Sequence, residues 1–140
     1  MPLRCKPGDT VFLNDDGGGH RWVVITKPNK DGCVVMVNFT DAASCPDRTV
    51  LFTRQSDKNI FDKPTRVHYI YAEIIKTDIL IKRANSKDIV SDYKPCKETI
   101  LSEIIDGAFK SEFTTYEILE ELGIHYPEKF NHYYPNGLEI

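Results

Sequence analysis

RWVVITKPNKDGCVVMVNFT (residues 21–40) contains two valine-rich runs separated by a turn sequence. β-Branched and aromatic residues favour strands, and both runs, 21–26 and 33–40, are rich in them. Lys27-Pro28-Asn29 ends the first run, and Asp31-Gly32 is typical of a tight turn into the second. We therefore predict that these two runs form an antiparallel β-hairpin.

Further short strands are predicted on both sides of this hairpin. Residues 9–14 follow a Pro-Gly turn signal and have strand composition. Residues 49–53 and 66–70 are a fourth and a fifth candidate strand, and residues 71–77 either extend the last strand or begin a short helix. Several short strands separated by turns predict a small, strongly curved barrel.

The pattern changes after residue 83, where the sequence becomes helical. Residues 98–109 place five apolar side chains at helical spacing: Ile100, Leu101, Ile104, Ile105 and Ala108. Thr114 and Glu117 have the spacing of a capping box, so residues 115–122 should form a second helix that ends at Gly123. We predict a mainly β (α+β) chain, with a barrel over residues 1–83 and an acidic linker and helical C-terminal appendage over residues 84–140 that packs on it.

Length and composition exclude several classes of protein. The 140 residues, of which 41% are hydrophobic, fit one globular domain with an appendage. No apolar run approaches the about 20 residues that a membrane helix needs, and the N-terminus lacks the apolar core of a signal peptide, so we expect a cytoplasmic chain with no membrane partner. The four cysteines are scattered without a C-x-x-C pair, whereas structural zinc sites usually have paired, close ligands. We therefore predict no metal ligands and no cofactor.

The net charge of −3 is unevenly distributed along the chain. Residues 48–83 carry a net +4 and residues 84–140 a net −6. The basic part could bind a polyanion, and the alternative is two solvated faces of opposite sign. The acidic part either inhibits such binding in cis or only covers the edge of the barrel with its apolar helix faces.

Several short motifs in the first half form a pattern that is known from a protein family. Gly8-Asp9-Thr10-Val11 matches a G-D-x-V start, Arg21 begins an R-x-V-V-I-T run after a glycine-rich loop, and Thr40 closes the next strand. This pattern resembles the MazF/PemK (Kid-like) toxin family, and the segment from Gly19-His20 to Thr26 is similar to a PemK-like branch of it. The resemblance covers about residues 5–83. Trp22 departs from it, because the toxins usually have proline there.

The resemblance implies an SH3-like barrel and a metal-independent RNA endonuclease of a toxin–antitoxin system. In such cleavage the RNA 2′-hydroxyl is the nucleophile, and the protein must move protons and stabilise negative charge on phosphorus. Arg21 suits the charge because its planar fork donates two parallel hydrogen bonds. Thr40 can position the phosphate, and His20 can act as base or acid near neutral pH. Single-stranded RNA and an acidic antitoxin or other protein are the expected partners, and a homodimer is a further expectation.

The candidate substrate-binding residues surround this set. Gly18 and Gly19 would let a sugar–phosphate backbone come close, and Trp22 would offer a face on which a base stacks. Arg66 and His68 complete the set, with His68 as a second proton-transfer group.

Each of these residues also has an ordinary structural reading. His20 can be a solvated loop residue, Arg21 a surface charge, Thr40 an ordinary strand residue, and Trp22 a core or interface residue. The alternative function is a non-catalytic SH3-like barrel module that binds nucleic acid or a protein, because small barrels of this kind serve many unrelated tasks.

Overall fold

A computed structural model describes residues 4–15, 18–85 and 94–138 of the chain. These residues form an α+β fold with a five-stranded antiparallel sheet and four α-helices. The strands are β1 (Thr10–Asp15), β2 (Gly18–Val24), β3 (Cys33–Asp41), β4 (Thr65–Val67) and β5 (Glu73–Lys76), and the helices are α1 (Thr77–Asn85), α2 (Glu98–Lys110), α3 (Tyr116–His125) and α4 (Pro127–Tyr133). Gly17 of the glycine-rich loop and residues 86–93 of the predicted linker lie outside the described residues.

The predicted hairpin is confirmed as β2 and β3, which pair antiparallel from Trp22 opposite Asn38 to Val24 opposite Met36. Its turn is built by the Asn29 side chain, whose oxygen accepts hydrogen bonds from the backbone N–H groups of Asp31 and Cys33, both at 2.9 Å. Gly32 adopts a φ of 76°, a left-handed conformation that glycine enters without strain. The turn sequence therefore fixes the register of the central hairpin.

The second edge of β3 is shared between two short strands. β5 pairs with residues 33–36 of β3, and β4 pairs with residues 39–41. Only two residues of β3 separate the part that pairs with β5 from the part that pairs with β4, whereas the five residues 68–72 separate β4 from β5. The extra length forms a 3-10 turn at Tyr69–Tyr71. This outward step of the backbone forms one wall of a cleft, which is described below as the second cleft.

The sheet does not close into the predicted barrel. Its strand order is β1-β2-β3-β4 with β5 also on β3, and no pairing joins β1 to β4 among the described residues. The outer side of β4 instead meets Phe52, which forms a single bridge with Thr65. The predicted strand over residues 49–53 is therefore wrong beyond this one bridge. The backbone N–H group of Thr49 donates to the Asp47 side chain at 3.1 Å, and that of Thr53 donates to the Ser56 side chain at 3.0 Å. Neither N–H group binds a neighbouring strand.

The segment after β4 differs from both alternatives that the sequence offered. The strand predicted over residues 66–70 ends at Val67, where the 3-10 turn begins to displace the chain. Residues 71–77 do not extend that strand, because they contain the separate strand β5. A helix, α1, begins only at the last residue of this range, Thr77.

The two faces of the sheet are covered by different helices. One face packs against α2 and α3, in a cluster that combines strand residues such as Val23 and Val37 with helix residues such as Ile104 and Leu122. The other face packs against α1, in a smaller cluster that contains Trp22 and Leu80. The apolar positions of the predicted helices are thus core positions. The sheet lies between two helical layers.

The helix over residues 98–109 is confirmed as α2, but the second helix and its limits differ in detail. Thr115, not Thr114, is the N-cap of α3, and its hydroxyl accepts a hydrogen bond from the Ile118 N–H at 3.4 Å. Gly123 lies inside α3 and does not end it, and the ring of Phe130 packs against it, which leaves no space for a larger residue. The sequence did not predict α4, which follows directly and stacks Tyr133 on Phe109 of α2.

Candidate functional site

A cleft with a volume of about 510 Å³ opens beside the β2–β3 hairpin. Its walls come from β1, β2, β3, the loop over residues 58–63 and the first residue of β4. Gly19, His20, Arg21 and Thr40 all line it. The structure therefore brings the three candidate catalytic residues into one place, which we call the first cleft.

The first cleft lies where β2 and β3 separate. Their ladder ends at the pair of Trp22 and Asn38; residues of β2 before Trp22 pair with β1, and the last residues of β3 pair with β4. The side chain of His20 contacts β3 where the ladder would otherwise continue, with Nδ1 3.2 Å from the carbonyl oxygen of Phe39. The histidine thus joins the two strands at the cleft.

This contact fits one tautomer of the His20 ring. A carbonyl oxygen accepts hydrogen bonds and cannot donate them, so Nδ1 carries a proton when the bond forms. In the neutral ring the lone pair is then on Nε2, which is the nitrogen that can take up a proton. His20 is half-buried, and its imidazole is held in position as a general base would need to be.

Arg21 is held by the neighbouring strand. Its Nη1 donates a hydrogen bond to the Thr10 hydroxyl at 3.0 Å, and Thr10 is fully buried. The Thr10 hydroxyl in turn donates to the carbonyl oxygen of Lys94, in the segment that leads into α2. The guanidinium is therefore positioned by a chain of hydrogen bonds, as preorganised charge stabilisation requires.

The outer wall of the first cleft adds two lysines. Lys63 Nζ lies 3.2 Å from a carboxylate oxygen of Asp41, and both side chains are exposed. The hydrogen bond from the Ala43 N–H, and next the Lys63 ammonium group, hold the pKa of the Asp41 carboxyl below its usual value. Lys58 is exposed on the same loop. With Arg21, the lining carries three fixed cations against the carboxylates of Asp41 and Asp62.

Three of the candidate substrate-binding residues do not line this cleft. Trp22 is only 5% exposed and belongs to the core cluster under α1, so it offers little face for stacking a base. Arg66 is opposite Thr40 in the sheet, but it is buried and its Nη1 donates to the carbonyl oxygen of Val50 at 3.2 Å. His68 packs its ring edge-to-face with Tyr71 and Phe113, at centroid distances of 4.8 and 5.7 Å.

The two glycines have different surroundings. Gly18 pairs with Asp15 at the end of the β1–β2 ladder. A Cβ atom at Gly19 would clash with the ring of Phe12, which lies against its backbone. Gly19 is therefore needed to accommodate Phe12, and the half-buried Phe12 ring is the more exposed aromatic surface of the first cleft, beside the buried rings of Phe39 and Phe61.

Sequence reasoning missed Phe12, Lys58 and Lys63. Phe12 alternates with buried Val11 and Leu13 in β1, so its position on the opposite face was the available signal. The two lysines belong to the basic segment over residues 48–83. Nothing local shows that their loop folds back on β3.

A second cleft, with a volume of about 640 Å³, adjoins the first because His20 lines both. Its other walls include Trp22 and Asn38 from the hairpin, Tyr71 from the 3-10 turn, and Arg83 from α1. The first and second clefts therefore form two neighbouring concave regions around one histidine.

Comparisons with known proteins give no family assignment. No protein-family model matches the chain, and no curated protein or solved structure is similar enough to count as a match. None of the helices within residues 4–15, 18–85 and 94–138 is long and apolar enough to span a bilayer.

Proposed function

We propose that the first cleft binds single-stranded RNA and cleaves it without a metal ion, as the resemblance to PemK-like toxins implies. The observation that carries this proposal is that His20, Arg21 and Thr40 line one cleft. The three residues lie on two adjacent strands, and the cleft combines a candidate base with a candidate phosphate-binding group. We further propose that the five-stranded sheet is an open variant of the family's SH3-like barrel.

The proposed chemistry transfers the phosphate to the neighbouring 2′-oxygen. His20 Nε2 removes the proton of the 2′-hydroxyl, and the 2′-oxygen attacks phosphorus. The bond to the 5′-oxygen breaks, and that oxygen takes a proton from water or from Lys58 at the rim. The products are a 2′,3′-cyclic phosphate and a 5′-hydroxyl end.

Arg21 and Thr40 act on the phosphate in this scheme. The positive guanidinium stabilises the extra negative charge that develops on the phosphate oxygens, and the hydrogen bond to Thr10 reduces the reorganisation needed during the reaction. The Thr40 hydroxyl donates a hydrogen bond that orients the same phosphate. Such groups are typically worth a factor of about 10²–10³ in rate each.

Lys58, Lys63 and Phe12 support RNA binding beside the reacting phosphate. The lysines attract the RNA backbone, so affinity should fall as salt is added. The Phe12 ring provides a stacking surface, a contact worth about 1–3 kcal/mol for one base. We propose that the chain acts in the cytoplasm. The alternative function, a non-catalytic nucleic-acid module, predicts the same binding without cleavage.

The test is incubation of the purified protein with a mixed-sequence RNA in the presence of EDTA. We expect cleavage products with 2′,3′-cyclic phosphate ends, and no cleavage of an otherwise identical DNA strand. RNA binding that depends on Lys58 but leaves the strand intact would establish the non-catalytic alternative. Absence of both binding and cleavage would end the RNA proposal.

A further inference from the structure

Two of the residues that line the second cleft each have a buried polar atom without a hydrogen-bond partner. Trp22 and Asn38 are 5% and 4% exposed, and Trp22 Nε1 and Asn38 Oδ1 are unpartnered. The two residues are directly opposite each other in the β2–β3 ladder, and both line the second cleft. Buried polar atoms are normally hydrogen-bonded, because an unpaired one destabilises the fold.

These atoms have opposite hydrogen-bonding character. The indole N–H can only donate, and the amide oxygen of Asn38 can only accept. A ligand that completes both bonds must therefore present an acceptor and a donor side by side. The edge of every nucleobase has such an arrangement, since base edges carry adjacent ring or carbonyl acceptors and N–H donors.

The remaining walls favour an uncharged planar ligand. Glu73 and Arg83, which both line the cleft, form an ion pair with 3.5 Å between Oε2 and Nη1, so these opposite charges largely offset each other. Tyr71 is 58% exposed and supplies an aromatic surface of the kind on which bases stack. The first cleft, by contrast, has the cations that suit a phosphate.

We infer that the second cleft is a nucleobase subsite. Trp22 donates to the base edge, Asn38 accepts from it, and Tyr71 covers its face. The inference rests on the proposed function in one respect: His20 lines both clefts, so the base is that of a nucleotide next to the phosphate held in the first cleft. Binding of the base itself does not require cleavage.

The test uses the fluorescence of Trp22, which is the only tryptophan of the chain. The full-length protein is titrated with nucleoside 5′-monophosphates, and ribose 5-phosphate serves as the ligand without a base. We expect a saturable change in intensity or emission wavelength with at least one nucleotide and none with ribose 5-phosphate. An equal response to ribose 5-phosphate, or no response to any nucleotide, would overturn the inference.

Two variants separate base binding from a structural role. Asn38→Leu keeps a similar volume but removes the acceptor, so we expect about tenfold weaker nucleotide binding or more. Because the amide oxygen has no partner in the free protein, the melting temperature should stay the same or rise. Tyr71→Ala should also weaken binding about tenfold, whereas Tyr116→Ala, at a tyrosine of α3 with a similar exposure, should not. Unchanged nucleotide affinity in both Asn38→Leu and Tyr71→Ala would contradict the subsite.

Other outcomes distinguish this inference from the proposed function. A fluorescence response to nucleotides without RNA cleavage supports the subsite and contradicts the cleavage proposal. Cleavage of RNA that is insensitive to Asn38→Leu, without a nucleotide response, supports the cleavage proposal and contradicts the subsite. A response to the uncharged amide N-acetylglycinamide and to no nucleotide would show that the cleft binds peptide groups, which overturns the inference.

Discussion

Replacing Asp47 with asparagine should destabilise the fold by about 3 kcal/mol. The Asp47 side chain is fully buried and joins three parts of the chain. Its Oδ1 accepts hydrogen bonds from the N–H and hydroxyl of Thr49, at 3.1 and 2.6 Å. Its Oδ2 accepts from the Tyr69 N–H at 3.2 Å and from the Ser111 hydroxyl at 2.7 Å. Asp47 thus connects the 3-10 turn beside the second cleft to the end of α2.

The expected loss follows from the geometry of the amide. Asparagine keeps one oxygen and replaces the other with an NH₂ group, which cannot accept. The hydroxyl of Thr49 or Ser111 can rotate and accept from that group, but the backbone N–H of Thr49 or Tyr69 then faces another donor. One buried unpaired donor costs about 1–3 kcal/mol, and each hydrogen bond to a charged group that is lost costs about 1.5–3 kcal/mol. Partial relaxation brings the total to about 3 kcal/mol.

Urea unfolding, followed by Trp22 fluorescence and circular dichroism, measures this loss. Asp31→Asn is the matched control, because Asp31 lies in an exposed turn and its replacement should change stability by less than about 0.5 kcal/mol. Asp47→Asn and Ser111→Ala should also be non-additive, with a coupling energy of about 1 kcal/mol. A loss below about 1 kcal/mol in Asp47→Asn, or equal losses in the two aspartate variants, would refute this account of the buried carboxylate.

Three further predictions concern the packing of the helices on the sheet. Tyr69→Phe removes the 2.7 Å hydrogen bond to the Ile104 carbonyl oxygen and should cost about 1 kcal/mol at pH 7 in urea unfolding. Burial, and next the Asp47 carboxylate, raise the pKa of the Tyr69 phenol well above its usual value. The stability of the parent chain should therefore fall as pH rises above about 10, the pKa in the unfolded chain, and fall less steeply in Tyr69→Phe; equal slopes would contradict this. Gly107→Ala should lower the melting temperature despite the higher helix propensity of alanine. The new Cβ would clash with the Tyr69 hydroxyl and lie 2.7 Å from Val50 Cγ1. An unchanged or higher melting temperature would contradict this packing. A chain that ends at Arg83 should give the circular dichroism spectrum of an unfolded protein. The reason is that eight of the seventeen buried residues in the larger core cluster lie in residues 100–122. A truncated chain that remains folded would contradict this prediction.

The parts of the fold that were predicted correctly have local causes. The β2–β3 hairpin follows from two β-branched runs and a turn in which the Asn29 side chain binds the backbone, all within residues 21–40. Helix α2 follows from apolar residues at helical spacing, and the structure buries Ile100, Ile104 and Ile105. In both cases the residues that determine the structure are close in sequence.

The missed parts depend on contacts between distant residues. Residues 49–53 have strand composition, yet Asp47 binds the Thr49 N–H and leaves only one bridge, between Phe52 and Thr65. The helix α4 is only seven residues long, and its aromatic side chains pack on α2 and α3, so no periodic pattern identifies it. The α+β class was predicted correctly, but the sheet does not close into a barrel within the described residues, because no pairing joins β1 to β4 and the outer side of β4 meets Phe52 instead.

The residues of the candidate site also divide into those that local sequence identified and those that depend on contacts between distant residues. His20, Arg21 and Thr40 were chosen from a motif within one hairpin, and the hairpin places them on one cleft. Lys58 and Lys63 reach that cleft through a loop that folds back on β3, held in part by the pairing of Lys63 with Asp41. Trp22 was a candidate stacking surface with a core position as the alternative, and the structure places it in the core cluster under the helix α1.

The proposal that the first cleft performs RNA cleavage is tested most directly by the single-turnover cleavage rate of Arg21→Ala compared with that of Lys27→Ala. Lys27 is an exposed cation just beyond the end of β2, outside the first cleft, so its loss should change only weak, salt-dependent binding. We expect the rate to fall about 10²–10³-fold in Arg21→Ala and less than about threefold in Lys27→Ala, with both variants folded by circular dichroism. Equal rates in the two variants would contradict the assignment of Arg21, and with it the proposed active site.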